Sequence, residues 1–235
     1  MRRASLGAFV VLVSLLAGSP VLADNPLVNS QVFRPSPHAG DLFTTQTSDV
    51  ADRHLRYSLS GLFIFGKNPL VFEGVASGGS THRQEVIQNQ LTLELMAGLN
   101  LFEWVELGIA IPIHLVNSGE KNGFLNTLSP GLESVDEVAL GDIRISPKIR
   151  ILRREHDENG FGLAAEVLIG IPTGLANPNA FVSDHFSVQP SLLADYRVGP
   201  FLIALNLGAR FRGNEKFHDF LDVSHEFVYR LGARY

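Results

Sequence analysis

The chain has 235 residues, of which 45% are hydrophobic, only 18% are charged and none is cysteine. Without cysteine the chain has no disulfide bonds, no thiolate metal sites and no lipidated N-terminal cysteine. The net charge of −5 argues against a nucleic-acid partner, because nucleic-acid-binding domains carry an excess of basic residues.

The first 23 residues have the features of a secretory signal peptide. Arg2 and Arg3 precede an apolar run from Leu6 to about Ala17, and Val21-Leu22-Ala23 is a small-x-small cleavage pattern. The apolar run is shorter than the roughly 20 residues that a membrane-spanning helix needs. We therefore expect residues 1–23 to be removed by cleavage near Ala23 and the rest of the chain to be exported.

Residues 24–54 show no sustained hydrophobic period and contain prolines at 26, 35 and 37. They predict an irregular N-terminal lead. The remainder, 55–235, changes character and alternates between apolar and polar residues over long stretches, as in Ala139 to Leu152. A period of two is typical of β-strands that have one apolar and one polar face.

This alternation predicts an all-β fold, an antiparallel up-and-down transmembrane β-barrel of about eight strands, either complete or part of a larger barrel. Many of the predicted strands reach about twelve residues, enough for a tilted strand to cross a bilayer. Their connections alternate between long and short, which is typical of outer-membrane barrels. An even number of strands places both chain termini on the side of the short turns, which is the periplasmic side. The predicted strands are 55–65, 86–99, 103–116, 139–152, 160–171, 185–198, 201–212 and 223–235.

The aromatic residues of the apolar faces indicate which side of the sheet meets lipid. They cluster towards both strand ends, as the two interfaces of a bilayer would select. Tyr57, Phe161, Tyr196, Phe201 and Tyr235 fall near the predicted periplasmic end, and Phe63, Phe65, Phe186, Phe211 and Phe227 fall near the other. We therefore expect the apolar faces to be lipid-facing. The alternative is a soluble secreted lipocalin-like carrier with the apolar faces inside.

The opposite set of residues is predicted to line the barrel interior, where acids and bases on neighbouring strands can pair. Pro112, Pro147 and Pro190 cannot donate to the ladder, and we expect a β-bulge at each. The charged residues predicted to line the lumen are Glu94, Glu106, Asp142, Arg144, Lys148, Arg150, Glu166, Asp195, Arg197, Arg210, Arg212, Glu226 and Arg230.

Several stretches in order resemble a known family. They are KNPLVFEG (67–74), VIQNQLT (86–92), GLNLFEWVELGIAIPI (98–113), LGDIRISPKIRIL (140–152), GFGLAAEVLIGIPTG (160–174) and LGARFR (207–212). Together they resemble the N-terminal β-barrel region of OmpA-family outer-membrane proteins. The resemblance implies a porin-like cell-envelope protein of the outer membrane, with outer-membrane lipid and the barrel-assembly machinery as partners. The peptidoglycan-binding domain of that family has no counterpart in this sequence.

Two clusters of reactive residue types are better explained without catalysis. Ser183-Asp184-His185 are consecutive, whereas the members of a hydrolase triad meet in space from separate positions. His156, Asp157 and Glu158 are adjacent, so they do not converge as metal ligands do. We expect no enzyme activity, no metal and no cofactor, and an envelope structural role or passive passage of small solutes. A small barrel enzyme acting on lipid is the remaining alternative.

Overall fold

The computed structural model describes residues 29–31, 33–51, 53–75, 81–119, 138–154, 159–176, 180–183, 185–213, 215–217 and 221–235. Within these residues no helix has the length and apolar character needed to cross a membrane. A 3₁₀ turn spans Thr173–Ala176. The strands are β1 (Tyr57–Val75), β2 (Thr81–Leu101), β3 (Val105–Ser118), β4 (Ala139–Leu140), β5 (Ile143–Leu152), β6 (Gly160–Ile171), β7 (Ser187–Val198), β8 (Phe201–Arg212), β9 (Glu215–Phe217), β10 (Leu221–Val223) and β11 (Glu226–Arg234).

Eight main strands form one antiparallel sheet in the order β1-β2-β3-β5-β6-β7-β8-β11, curved into a half-barrel. Each of these eight strands pairs with the next one along the chain. The short strand β4 adds a pairing to β3, and β9 and β10 form a separate hairpin. The predicted all-β, up-and-down architecture is therefore confirmed. Among the described strands, no pairing joins β1 to β11, so the sheet has two free edges.

The first hairpin differs from its prediction. Residues 66–85 were expected to form a long connection, but β1 and β2 pair through most of this stretch, up to Val75 opposite Thr81. The Asn68-Pro69 pair has the composition of a turn, and Asn68 has a positive φ of 51°. The structure absorbs both residues as an irregularity in the register between Lys67 and Leu70 instead of ending the strand.

The other predicted strands lie close to the observed ones, and two of them coincide with β6 and β8. The predicted strand 139–152 is interrupted at Gly141 and Asp142, which separate β4 from β5. Asp142 turns away from the ladder because its carboxylate accepts hydrogen bonds from the backbone of Gly174 and from the Ser183 hydroxyl.

The expectation of a bulge at Pro147 is wrong. Pro147 pairs with Leu107 of β3, and the pairing with β6 keeps one register from Ile145 to Lys148. The missing N–H leaves a gap in one ladder without adding a residue, so the strand continues unshifted.

The missing N–H groups of Pro190 and Pro112 are accommodated in two different ways. Towards β8, the pairing around Pro190 keeps the same register at Val188 and Ser191, so a bulge is absent there too. Pro112 lies opposite the break between β4 and β5, and its carbonyl accepts a hydrogen bond from the Gly141 amide at 2.9 Å. The irregularity opposite Pro112 is therefore the break between β4 and β5, and at this point Pro112 only has to accept a hydrogen bond.

The two faces of the sheet have opposite character. The apolar set lies on the convex face, where the side chains of Leu59, Ile151 and Ile203 are 76%, 57% and 56% exposed. The polar set lies on the concave face and is largely buried, with Glu94 and Lys148 completely so. This orientation is the reverse of a lipocalin-like carrier, which keeps its apolar face inside.

The ten aromatic residues predicted to mark the two ends of the sheet all lie exposed. The connections from β2 to β3, from β5 to β6 and from β7 to β8 share one end, here called the short-turn end, together with the start of β1 and the end of β11. Phe102 and Trp104 add two stacked exposed rings at this end, with centroids 6.1 Å apart. The convex face is thus apolar, with aromatic residues at both ends of β7, β8 and β11. Phe63 and Phe65 lie inside β1 instead of at its end, because this strand continues to Val75.

Candidate functional site

The concave face holds most of the charged residues that the sequence analysis assigned to the lumen. Arg150, Arg197, Arg210, Arg212 and Arg230 lie on it half-buried, and Glu226 is exposed on β11. The seven that are buried are Glu94, Glu106, Asp142, Arg144, Lys148, Glu166 and Asp195.

One ion pair joins two of these residues across the intervening strand β3. Arg144 of β5 donates a hydrogen bond to Glu94 of β2, and both side chains are almost fully buried. At the end opposite the short turns, Arg210 and Arg212 of β8 both pair with Glu226 of β11, at 3.2 and 2.7 Å. The latter pairs are partly exposed, so they contribute less than about 1 kcal/mol each.

Most of the remaining partners come from an unexpected source, the N-terminal lead. Residues 29–51, here called the inner segment, lie against the concave face and have one isolated bridge, Leu42 with Thr45, as their only ladder pairing among the described residues. The amide of Gln31 donates to Glu94 at 2.7 Å, and the amide of Gln46 donates to Glu166.

The backbone of the inner segment is also held by the sheet. The side chain of Asn206 of β8 accepts a hydrogen bond from the backbone N–H of Gln46 at 2.8 Å and donates one to the backbone carbonyl of Gln46 at 2.7 Å. The Ser48 amide donates to Asp195 of β7. Because buried backbone groups need partners, these contacts satisfy a segment that has almost no regular structure of its own.

A buried charge cluster lies at the centre of the contact between inner segment and sheet. The imidazole of His38 lies 3.4 Å from both Glu106 and Glu166, and its Nε2 is 2.7 Å from the Ser146 hydroxyl. The ammonium group of Lys148 lies 3.3 Å from Asp41 and 3.8 Å from Glu106. Glu106 of β3 and Glu166 of β6 thus lie beside His38 of the inner segment, and Glu106 also lies beside Lys148 of β5.

The cluster shifts the pKa of its histidine. Burial of the imidazole and the nearby Lys148 ammonium act to lower the pKa of His38, but the carboxylates of Glu106 and Glu166 outweigh both. The pKa therefore lies above its ordinary value. A protonated His38 links the inner segment to two strands at once.

The end of the barrel opposite the short turns is partly covered by residues 180–183. Ser30 of the inner segment donates to the Phe181 carbonyl at 2.8 Å, and Asn117 of β3 donates to the Ala180 carbonyl at 2.8 Å. Val182 packs with Ala139 and Ala180 in a small buried apolar cluster. Residues 180–183 therefore cover part of the interior at this end.

At the short-turn end, the described residues form a cavity of about 390 Å³ between the inner segment and the ends of β3, β5 and β7. Arg150 donates to the backbone carbonyls of Val50, at 2.9 Å, and Glu103. Arg154 pairs with Asp49 and, at 2.7 Å, with Asp195. Six arginines line this cavity: Arg53, Arg56, Arg150, Arg153, Arg154 and Arg197.

The clusters weighed as catalytic or metal sites do not assemble within the described residues. The Ser183 hydroxyl donates to Asp142 at 2.6 Å, while Asp184 lies outside the described residues. His156, Asp157 and Glu158 also lie outside them, as does the predicted signal peptide. Across the part of the chain that the structure describes, no group of three potential ligands could hold a metal ion.

Comparison with known proteins places the chain in a different family from the one its motifs suggested. A family model described as "Putative MetA-pathway of phenol degradation" matches residues 70–234. No curated protein and no solved structure matches the chain.

The resemblance to the OmpA family is therefore wrong, since the match is to the phenol-degradation model and no OmpA domain is found. The stretches that carried it are amphipathic strands such as LGDIRISPKIRIL (140–152). Alternating apolar residues are required by any barrel with one apolar face, so they specify the strand and not the lineage.

Proposed function

The chain belongs to the family whose model matches residues 70–234, and from its fold we propose that it is an outer-membrane β-barrel protein that lets small solutes pass. The observation that carries the proposal is the inverted polarity of the sheet. Its convex face is apolar, exposed and bordered by aromatic residues, while its concave face is charged and buried. An apolar outer face and a charged inner face are stable together when the outer face is surrounded by lipid.

The role we propose is passage and not chemistry. The family description names phenol degradation, and we carry from it only the class of solute, small aromatic compounds, which must cross an outer membrane before any pathway consumes them. The inner segment fills the concave face, so passage requires this segment to move or to leave a gap beside the sheet.

Two arginine substitutions on one strand test the membrane location. Leu192 lies on the convex face in the middle of β7 and is 47% exposed, and Val198 lies on the same face at the strand end and is 55% exposed. The two positions lie roughly 20 Å apart along the strand. In a bilayer, Leu192 would lie near the midplane and Val198 near the interface.

In an outer membrane, we expect Leu192→Arg to reduce the free energy of unfolding by about 2–4 kcal/mol and Val198→Arg by about 0–1 kcal/mol. The full chain is expressed, its outer-membrane fraction is isolated, and urea unfolding is followed by tryptophan fluorescence. A water-soluble protein tolerates both exposed substitutions within about 0.5 kcal/mol. Equal, small effects together with recovery in the soluble fraction would overturn the proposal.

A further inference from the structure

The cavity at the short-turn end has a marked excess of positive charge. Its six arginines face two lining carboxylates, those of Asp49 and Glu106. Asp49 and Asp195 account for contacts of Arg154, and the 3.9 Å approach of Arg197 also involves Asp49. The described acids are therefore shared among several guanidinium groups.

Two of the arginines lie at the mouth of the cavity. Arg53 and Arg56 follow the inner segment directly, precede β1 and are exposed to solvent. Among the described residues, neither side chain forms an ion pair. Deeper in the cavity, the side chain of Arg154 is only 6% exposed and is fixed by its carboxylate partners. The site thus combines a rigid charged wall with two guanidinium groups at its entrance.

We propose that this cavity binds a small oxyanion, a carboxylate or phosphate group carried by a solute. The planar guanidinium group donates parallel hydrogen bonds to both oxygens of such a group, which a lysine does not do. A volume of about 390 Å³ lies within the range of small-molecule sites.

The position of the cavity favours a dissolved solute over a lipid headgroup. Glu106, Arg150 and Arg197 reach it from the concave face, whereas the apolar convex face lies on the other side of the sheet. A lipid anchored at the convex surface would have to carry its headgroup around the strand ends. The inference does not depend on membrane location, because the cavity is lined mainly by the inner segment and the concave side of the sheet and not by the convex face.

Calorimetric titration of the purified full chain in dodecyl maltoside tests the proposal, with sodium phosphate and sodium benzoate as separate probes at constant ionic strength. We expect at least one probe to bind saturably with a dissociation constant below about 10 mM. The double variant R53Q/R56Q should weaken that binding at least tenfold. Both residues are exposed and lie outside the strands, so folding is expected to persist and is checked by circular dichroism.

The matched control is Arg83→Gln, which removes an exposed arginine of β2 at the opposite end of the sheet. Its binding should equal that of the unaltered chain. Three outcomes would overturn the proposal: neither probe binds, R53Q/R56Q binds as well as the unaltered chain, or R83Q loses the same affinity. If the Leu192→Arg and Val198→Arg comparison contradicts the membrane location but a probe still binds, the oxyanion site is supported and only the proposed function is overturned.

Discussion

Gly108 on β3 marks a place where the inner segment comes very close to the sheet. A Cβ atom at this position would lie 2.5 Å from Pro37 Cγ and 2.9 Å from His38 Cε1. The absence of a side chain therefore decides how closely the irregular segment can pack on the strand. At Gly61, by contrast, the nearest atom to an added Cβ is Leu95 Cδ2 at 3.8 Å.

We expect Gly108→Ala to reduce the free energy of unfolding by about 1–3 kcal/mol, because the added methyl group overpacks a filled interior. The matched control, Gly61→Ala, should change it by less than about 0.5 kcal/mol. Urea unfolding of both variants measures the difference. Equal values would show that the inner segment does not press on β3 as described.

His38 makes the docking of the inner segment depend on pH. The group titrates among Asp41 of its own segment, Glu106 of β3, Lys148 of β5 and Glu166 of β6. Because its pKa is raised in the folded state, the stabilisation is fully present below its ordinary value of 6.5 and is lost as the pH rises through the raised value.

We therefore expect protease cleavage within the inner segment to become faster between neutral and alkaline pH. The variant His38→Gln cannot titrate at this position and should show a flatter profile over the same range. Limited proteolysis followed by mass spectrometry gives the rates. A profile that is identical in the two proteins would assign the pH dependence to other groups.

At the scale of the elements, the strands were largely predictable and the inner segment was not. A strand has a period of two, so the buried positions of Glu94, Glu166 and Asp195 follow directly from the sequence. The segment that neutralises them has no period, and its contacts span large separations, such as Gln46 with Glu166. Charged residues without sufficient partners were the available signal that something else fills the interior.

The inner segment should control passage through the interior. In the triple variant Q31A/H38A/Q46A, the segment loses its side-chain contacts with Glu94, Glu106 and Glu166. We expect a higher single-channel conductance in planar bilayers, because the loosened segment exposes a charged and hydrated face. Phe43→Ala is the control, since Phe43 lies in the same segment but is 72% exposed. Unchanged conductance in the triple variant would mean that the segment does not limit passage.

At the scale of the whole molecule, the described sheet combines a filled concave face with two unpaired edges. Eight strands enclose a space that side chains alone fill, and here the same space also holds residues 29–51. Among the described strands, the outer edges of β1 and β11 have no partner. Within a bilayer, however, unpaired edge groups cost several kcal/mol each, so the edges must find partners.

We therefore expect both edges to be paired when the protein is taken from outer membranes, with β1 joined either to β11 or to a second copy of the chain. Gel electrophoresis with and without boiling measures this, because a closed barrel resists the detergent until it is heated. A faster unboiled band indicates closure within one chain, and an unboiled band at twice the mass indicates two copies. A mobility that boiling does not change would show that the half-barrel stays open, which would contradict its insertion into a bilayer.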